Sequence, residues 1–83
     1  MRKLDLMTTE GCHLCEDAIA VLQQGLVAGE AEVDLVDIVY EPSLLERYAE
    51  RIPVLVERDG PAELGWPFDV DQLRQFMDAL PQR

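Results

Sequence analysis

The chain has 83 residues, with seven Lys and Arg against seventeen Asp and Glu, a formal net charge of −10. That length suits one small domain, residues 1–83, with a thin core, and 48% hydrophobic with 29% charged residues argues against a disordered chain. The acidity argues against nucleic acid and anionic lipid as partners, and no apolar run approaches the ~20 residues that cross a bilayer.

Leu4-Asp5-Leu6-Met7 reads as a short strand with Leu4 and Leu6 on one face. The stretch Met1 to Leu6 lacks an apolar run long enough for a signal peptide, so a cytoplasmic location is expected. Thr8 to Gly11 reads as a turn. From Cys12 to about Leu26 the pattern is helical, with Cys15, Ala18, Ile19, Leu22 and Leu26 forming an apolar stripe. Gly25 and Gly29 bracket the fraying end. Val33 to Ile38 reads as a second strand. Pro42 opens a second helix, which takes in Tyr48 and ends near Arg51 because Pro53 cannot continue it. Val54 to Glu57 is a third strand. Asp59-Gly60 signals a tight turn into a returning strand, Ala62 to Trp66. Asp69 and Gln72 read as a reciprocal cap on a last helix carrying Leu73, Phe76, Met77 and Leu80, with Pro81 ending it. The order β-α-β-α-β-β-α implies parallel pairing across the first helix and an antiparallel final hairpin. The expected fold is α/β, a four-stranded mixed sheet flanked by three helices.

Both cysteines fall in Cys12-His13-Leu14-Cys15. A bond between them closes so small a loop that it would constrain the unfolded chain little. Three readings are open. The first is a structural zinc site, which needs four ligands and would have to add carboxylates to one cysteine pair and one His. Covalent haem attachment needs His after the second Cys, where Glu16 stands. The second reading is two buried thiols on one helix face, and the third is a redox pair.

The strand–loop–Cys-x-x-Cys–helix start, together with Arg51-Ile52-Pro53-Val54-Leu55 leading into the third strand and Gly65 and Asp69 before the last helix, resembles the thioredoxin fold in its short glutaredoxin form. The start Gly11-Cys12-His13-Leu14-Cys15-Glu16 resembles that of short, bacterial-type glutaredoxin-like proteins. The resemblance spans nearly the whole chain. It implies a thiol–disulfide oxidoreductase with Cys12 as nucleophile and Cys15 as resolving thiol, the two forming the redox disulfide. It also implies a cis peptide bond at Pro53 beside the cysteines, leaving the Ile52 backbone to pair with a substrate. His13 is a candidate for tuning the Cys12 thiolate. Trp66 is a candidate for contacting an apolar partner segment, beside its plainer reading as packing. The implied partners are a disulfide-bearing protein or glutathione-like substrate, and a reductant, either glutathione or a flavoprotein reductase. No cofactor and no metal is expected, and the chain is expected to be a monomer. The chain departs from glutaredoxins at Thr8-Thr9-Glu10, where they carry a basic residue, at His13-Leu14 in place of Pro-Tyr, and at Trp66 in place of a second Gly. Glu10, Glu16 and Asp17 around the motif work against binding anionic glutathione. Two other functions use the same residues. One is a metal or iron–sulfur module completed by dimerisation, and the other is a non-catalytic adaptor with an inert thiol pair.

Overall fold

The computed structural model describes residues 2–80. Eight short elements follow one another: β1 (Arg2–Thr8), α1 (His13–Gly25), β2 (Ala31–Asp37), a 3-10 turn (Ile38–Tyr40), α2 (Pro42–Tyr48), β3 (Val54–Glu57), β4 (Glu63–Gly65) and α3 (Val70–Ala79). The strands form one sheet in the order β2-β1-β3-β4. β1 runs parallel to β2, from Arg2 opposite Ala31 to Thr8 opposite Asp37. It runs antiparallel to β3, with Leu4 opposite Glu57 and Met7 opposite Val54, and β3 pairs antiparallel with β4. This is the mixed sheet that the strand and helix order predicts.

Alternation along β1 sends its side chains to two different cores. Leu4 and Leu6 lie fully buried with Leu55 beneath Ala18 and Leu22 of α1 and Leu73 and Met77 of α3. Full burial of each such leucine contributes about 1.5–3 kcal/mol, so this face carries most of the stability. Met7 points the other way and packs with Val54, Ile38 and Tyr48. That second cluster sits at one end of the sheet only. Beyond it the same face carries Asp5 and Asp34, opposite each other across β1 and β2, and Arg58 pairs with both. Among the described residues no helix is long and apolar enough to cross a membrane.

Four readings of the sequence change. Ile38 does not end β2. The Asp37 side chain accepts the Val39 N–H at 3.0 Å, which turns the chain and drops Ile38 into the second core. The second helix stops at Tyr48, whose carbonyl accepts from both Arg51 N–H and Ile52 N–H, at 2.8 and 3.1 Å. The returning strand is shorter than read, Glu63–Gly65. Gly25 is no fraying residue: it is buried against α3, and its carbonyl accepts from Arg74. Asp69 caps α3 reciprocally with Gln72, as their spacing predicts. Pro81, read as the stop of that helix, lies outside the described residues.

Candidate redox site

Because β1 and β2 are parallel and β3 is antiparallel to both, one end of the sheet collects four connections. The Thr9–Cys12 segment leaves β1 there, and the 3-10 turn leaves β2. Ile52-Pro53 enters β3, whose first residue Val54 lies opposite Met7. Trp66 follows Gly65, which is opposite Val54, and its N–H donates to the Pro53 carbonyl at 3.1 Å. Cys12, Cys15, Ile52, Pro53 and Trp66 therefore belong to the same end of the molecule. Open α/β sheets bind their ligands beyond the carboxyl ends of the parallel strands, and this is that end.

Gly11 makes the approach to α1 with φ +81°, a left-handed conformation that costs other residues about 1–2 kcal/mol. Cys12 then takes the N-cap position in extended conformation, and its Sγ accepts the Cys15 N–H at 3.1 Å. A sulfur thus fills the place usually held by a Ser or Asp oxygen. Cys12 and Cys15 are joined by a disulfide, with their Cα atoms 5.3 Å apart. The two differ in access: Cys15 is 3% exposed and Cys12 is only half-buried. The positive end of the α1 dipole points at this sulfur pair.

His13 extends into solvent with its side chain 95% exposed and Nδ1 3.9 Å from Glu16 Oε2. The Ile52 N–H is already taken by the Tyr48 carbonyl. That corrects the expectation of a free Ile52 backbone at its N–H. The Ile52–Pro53 and Trp66–Pro67 peptide bonds are both cis. Trp66 meets Phe68 edge-on at 5.1 Å. Phe68 belongs to the main core, and Trp66 packs against that core half-buried.

Sequence reasoning passed over two features. Leu14 lies between the cysteines, off the apolar stripe, and is 51% exposed. Its position on the polar side of the helix was the available signal. Val39 and Tyr40 add exposed apolar surface on the 3-10 turn at the same end. The second feature is a cluster around Glu63, which accepts from the Tyr48 hydroxyl and from Arg51, each at 2.7 Å. Arg47 lies 3.6 Å from the same carboxylate, and both guanidinium groups lie over the Tyr48 ring. The bond from Arg51, then that from Tyr48, holds the Glu63 carboxyl below its ordinary range. Burial, reinforced by Glu63, pushes the Tyr48 phenol up. Among the described residues no three His, Cys, Asp or Glu side chains come together in a way that could hold a metal ion. A metal on the cysteine pair would therefore need ligands from elsewhere.

Residues 3–78 match the model of the glutaredoxin-like domain family (DUF836), and the chain belongs to that family. Two solved structures resemble it closely. The X-ray structure of the structural-genomics target XcR50 from X. campestris is 40% identical, covers 94% of this chain and 99% of its own, and superposes with a TM-score of 0.81. The solution structure of XcR50 is 36% identical over the whole of both chains, with a TM-score of 0.80. No curated protein matches the chain significantly. The fold is thioredoxin-like, and family and cysteine pair together support a redox-type role.

Proposed function

We propose that this member of the glutaredoxin-like family is a thiol–disulfide oxidoreductase that cycles Cys12 and Cys15 between dithiol and disulfide. The observation that carries the proposal is the asymmetry of the pair, a half-exposed sulfur at the α1 N-cap bonded to a buried one behind it. In the reduced chain the Cys15 N–H and the helix dipole favour a thiolate at Cys12. That thiolate attacks one sulfur of a substrate disulfide and expels the other as a thiolate, leaving a mixed disulfide on Cys12. Cys15 then attacks the Cys12 sulfur, closes the intramolecular bond and releases the second substrate thiolate. Two electrons pass to the substrate, and protons from solvent neutralise the released thiolates.

His13, when protonated, favours the Cys12 thiolate, and the neighbouring Glu16 offsets it. The Ile52 carbonyl offers an acceptor to a substrate backbone, and Pro53 and Trp66 form the floor beside it. The substrate is a disulfide-bearing protein or a small disulfide. Electrons return from glutathione or from a flavoprotein reductase, in a cytoplasmic setting, and the cycle needs no bound cofactor. Equilibration in graded glutathione redox buffers, followed by alkylation and intact-mass measurement, tests this. A single two-electron transition that disappears in Cys12→Ser is expected. Thiols that stay in one state across the whole series would overturn the reading.

A further inference from the structure

Charge is unevenly distributed along this chain. Residues 4–46 contain ten Asp and Glu and no Lys or Arg. Cations from later in the chain reach back to three of those carboxylates: Arg58 engages Asp5 and Asp34, and Arg74 engages Glu30. Asp5 and Asp34 sit mid-sheet, and Glu30 lies at the end opposite the cysteines. At the cysteine end the pattern reverses. Glu10, Glu16 and Asp17 flank the disulfide, Asp37 and Glu41 bracket the 3-10 turn beside it, and all but Asp37 are exposed. Among the described residues none of these five has a Lys or Arg within salt-bridge distance. Among the described residues, the cationic group that faces one of them is His13, opposite Glu16, and it is charged only when protonated. On the α2 side Arg47 and Arg51 are engaged with Glu63 and the Tyr48 ring. Lys3 and Arg2 lie at the far end of β1.

From this we infer that the redox partner is cationic at the point of exchange: a polypeptide whose disulfide cysteine is flanked by Lys or Arg. The inference rests on the redox reading and deepens it. Two features at the site itself point to a docked segment. They are a half-exposed sulfur and an apolar side chain, Leu14, held out beside it. The unneutralised carboxylates around them set the sign of the charge that docks. Such a field raises the local concentration of cations and lowers that of anions, so it acts mainly on encounter rate and fades with salt. The reaction is the exchange described above, with the Lys- or Arg-flanked disulfide as oxidant. One of its thiols leaves when Cys12 attacks, and the other leaves when Cys15 closes the bond.

Three peptide disulfides decide the matter, identical except for Lys, Ser or Glu on both sides of the cysteine. Each rate with the reduced protein is divided by that of the same peptide with dithiothreitol, which removes differences in leaving-group chemistry. The expected order is Lys, Ser, Glu, with Lys about tenfold faster than Glu at low ionic strength and the gap closing as salt is added. In a Glu10→Gln, Glu16→Gln, Asp17→Asn variant the ratio falls toward one, while the Ser peptide still reacts. Equal normalised rates, or a Lys preference that survives in that variant, overturn this inference and leave the redox reading standing. No exchange with any of the three peptides overturns the redox reading itself.

Discussion

At the N-terminal end of α1, Gly11 turns with φ +81° and has open space where a side chain would sit. At the C-terminal end, Gly25 lies so close to α3 that an added Cβ would come within 2.7 Å of Leu73 Cδ2. One glycine supplies a backbone conformation and the other supplies room. The ends differ in the same sense elsewhere. The first turn is capped by a sulfur, flanked by carboxylates that no Lys or Arg reaches among the described residues, and exposed at Leu14. The last turn is sealed: Arg74 donates to the Gly25 carbonyl, and Glu30 accepts from Arg74 and from the Val27 N–H. The helix is anchored at one end, which leaves the other to carry the cysteine pair without loosening the fold.

The largest test of that contrast is Leu73→Ala, at the anchored end. It should cost about 2–5 kcal/mol in denaturant unfolding, while the rate at which the reduced protein exchanges with a neutral disulfide stays unchanged. Gly25→Ala should cost about 1–3 kcal/mol by overpacking. Its cost should fall when Leu73→Val is added to make space, a non-additivity that a double-mutant cycle would detect. Gly11→Ala should cost about 1–2 kcal/mol through φ alone, with no rescue from any core substitution. Unlike the first two, it should change the exchange rate, because it re-aims Cys12.

The smallest effect concerns pH. The bond from Arg74, then that from the Val27 N–H, holds the Glu30 carboxyl below its ordinary value of 4.5. A carboxyl depressed on folding stabilises the fold above its unfolded value, and the contribution is lost as pH falls through the folded value. Glu30→Gln should therefore be less stable than the wild type at pH 7, with the gap closing below about pH 4.5. Glu63, also held low, keeps part of the acid slope in that variant. Urea midpoints measured across the pH series would show both.

Local patterns made much of the fold legible. The alternation of Leu4 and Leu6, the Asp-Gly turn and the Asp69–Gln72 cap each depend on residues close in sequence. The cysteine pair was legible for the same reason, since its spacing and its place between a strand and a helix lie within a few residues. Part of what escaped depends on the assembled sheet. Nothing near Glu63 announces that Tyr48 and Arg51, fifteen and twelve positions away, will donate to it. The burial of Gly25 needs α3 in place, whereas the bond from the Ile52 N–H to the Tyr48 carbonyl spans only four residues. Ile38 looked like strand because its neighbours alternate, and a single bond from the Val39 N–H to the Asp37 side chain takes it out.

The central claim is that the two sulfurs are unequal, Cys12 reacting and Cys15 resolving. Reduced Cys15→Ser and Cys12→Ser proteins, each given the same excess of 2-hydroxyethyl disulfide and followed by intact mass, test it most directly. The account predicts rapid formation of a stable mixed disulfide on Cys12 in the first variant, and far slower labelling of the buried Cys15 in the second. Equal rates, or faster reaction at Cys15, would contradict it.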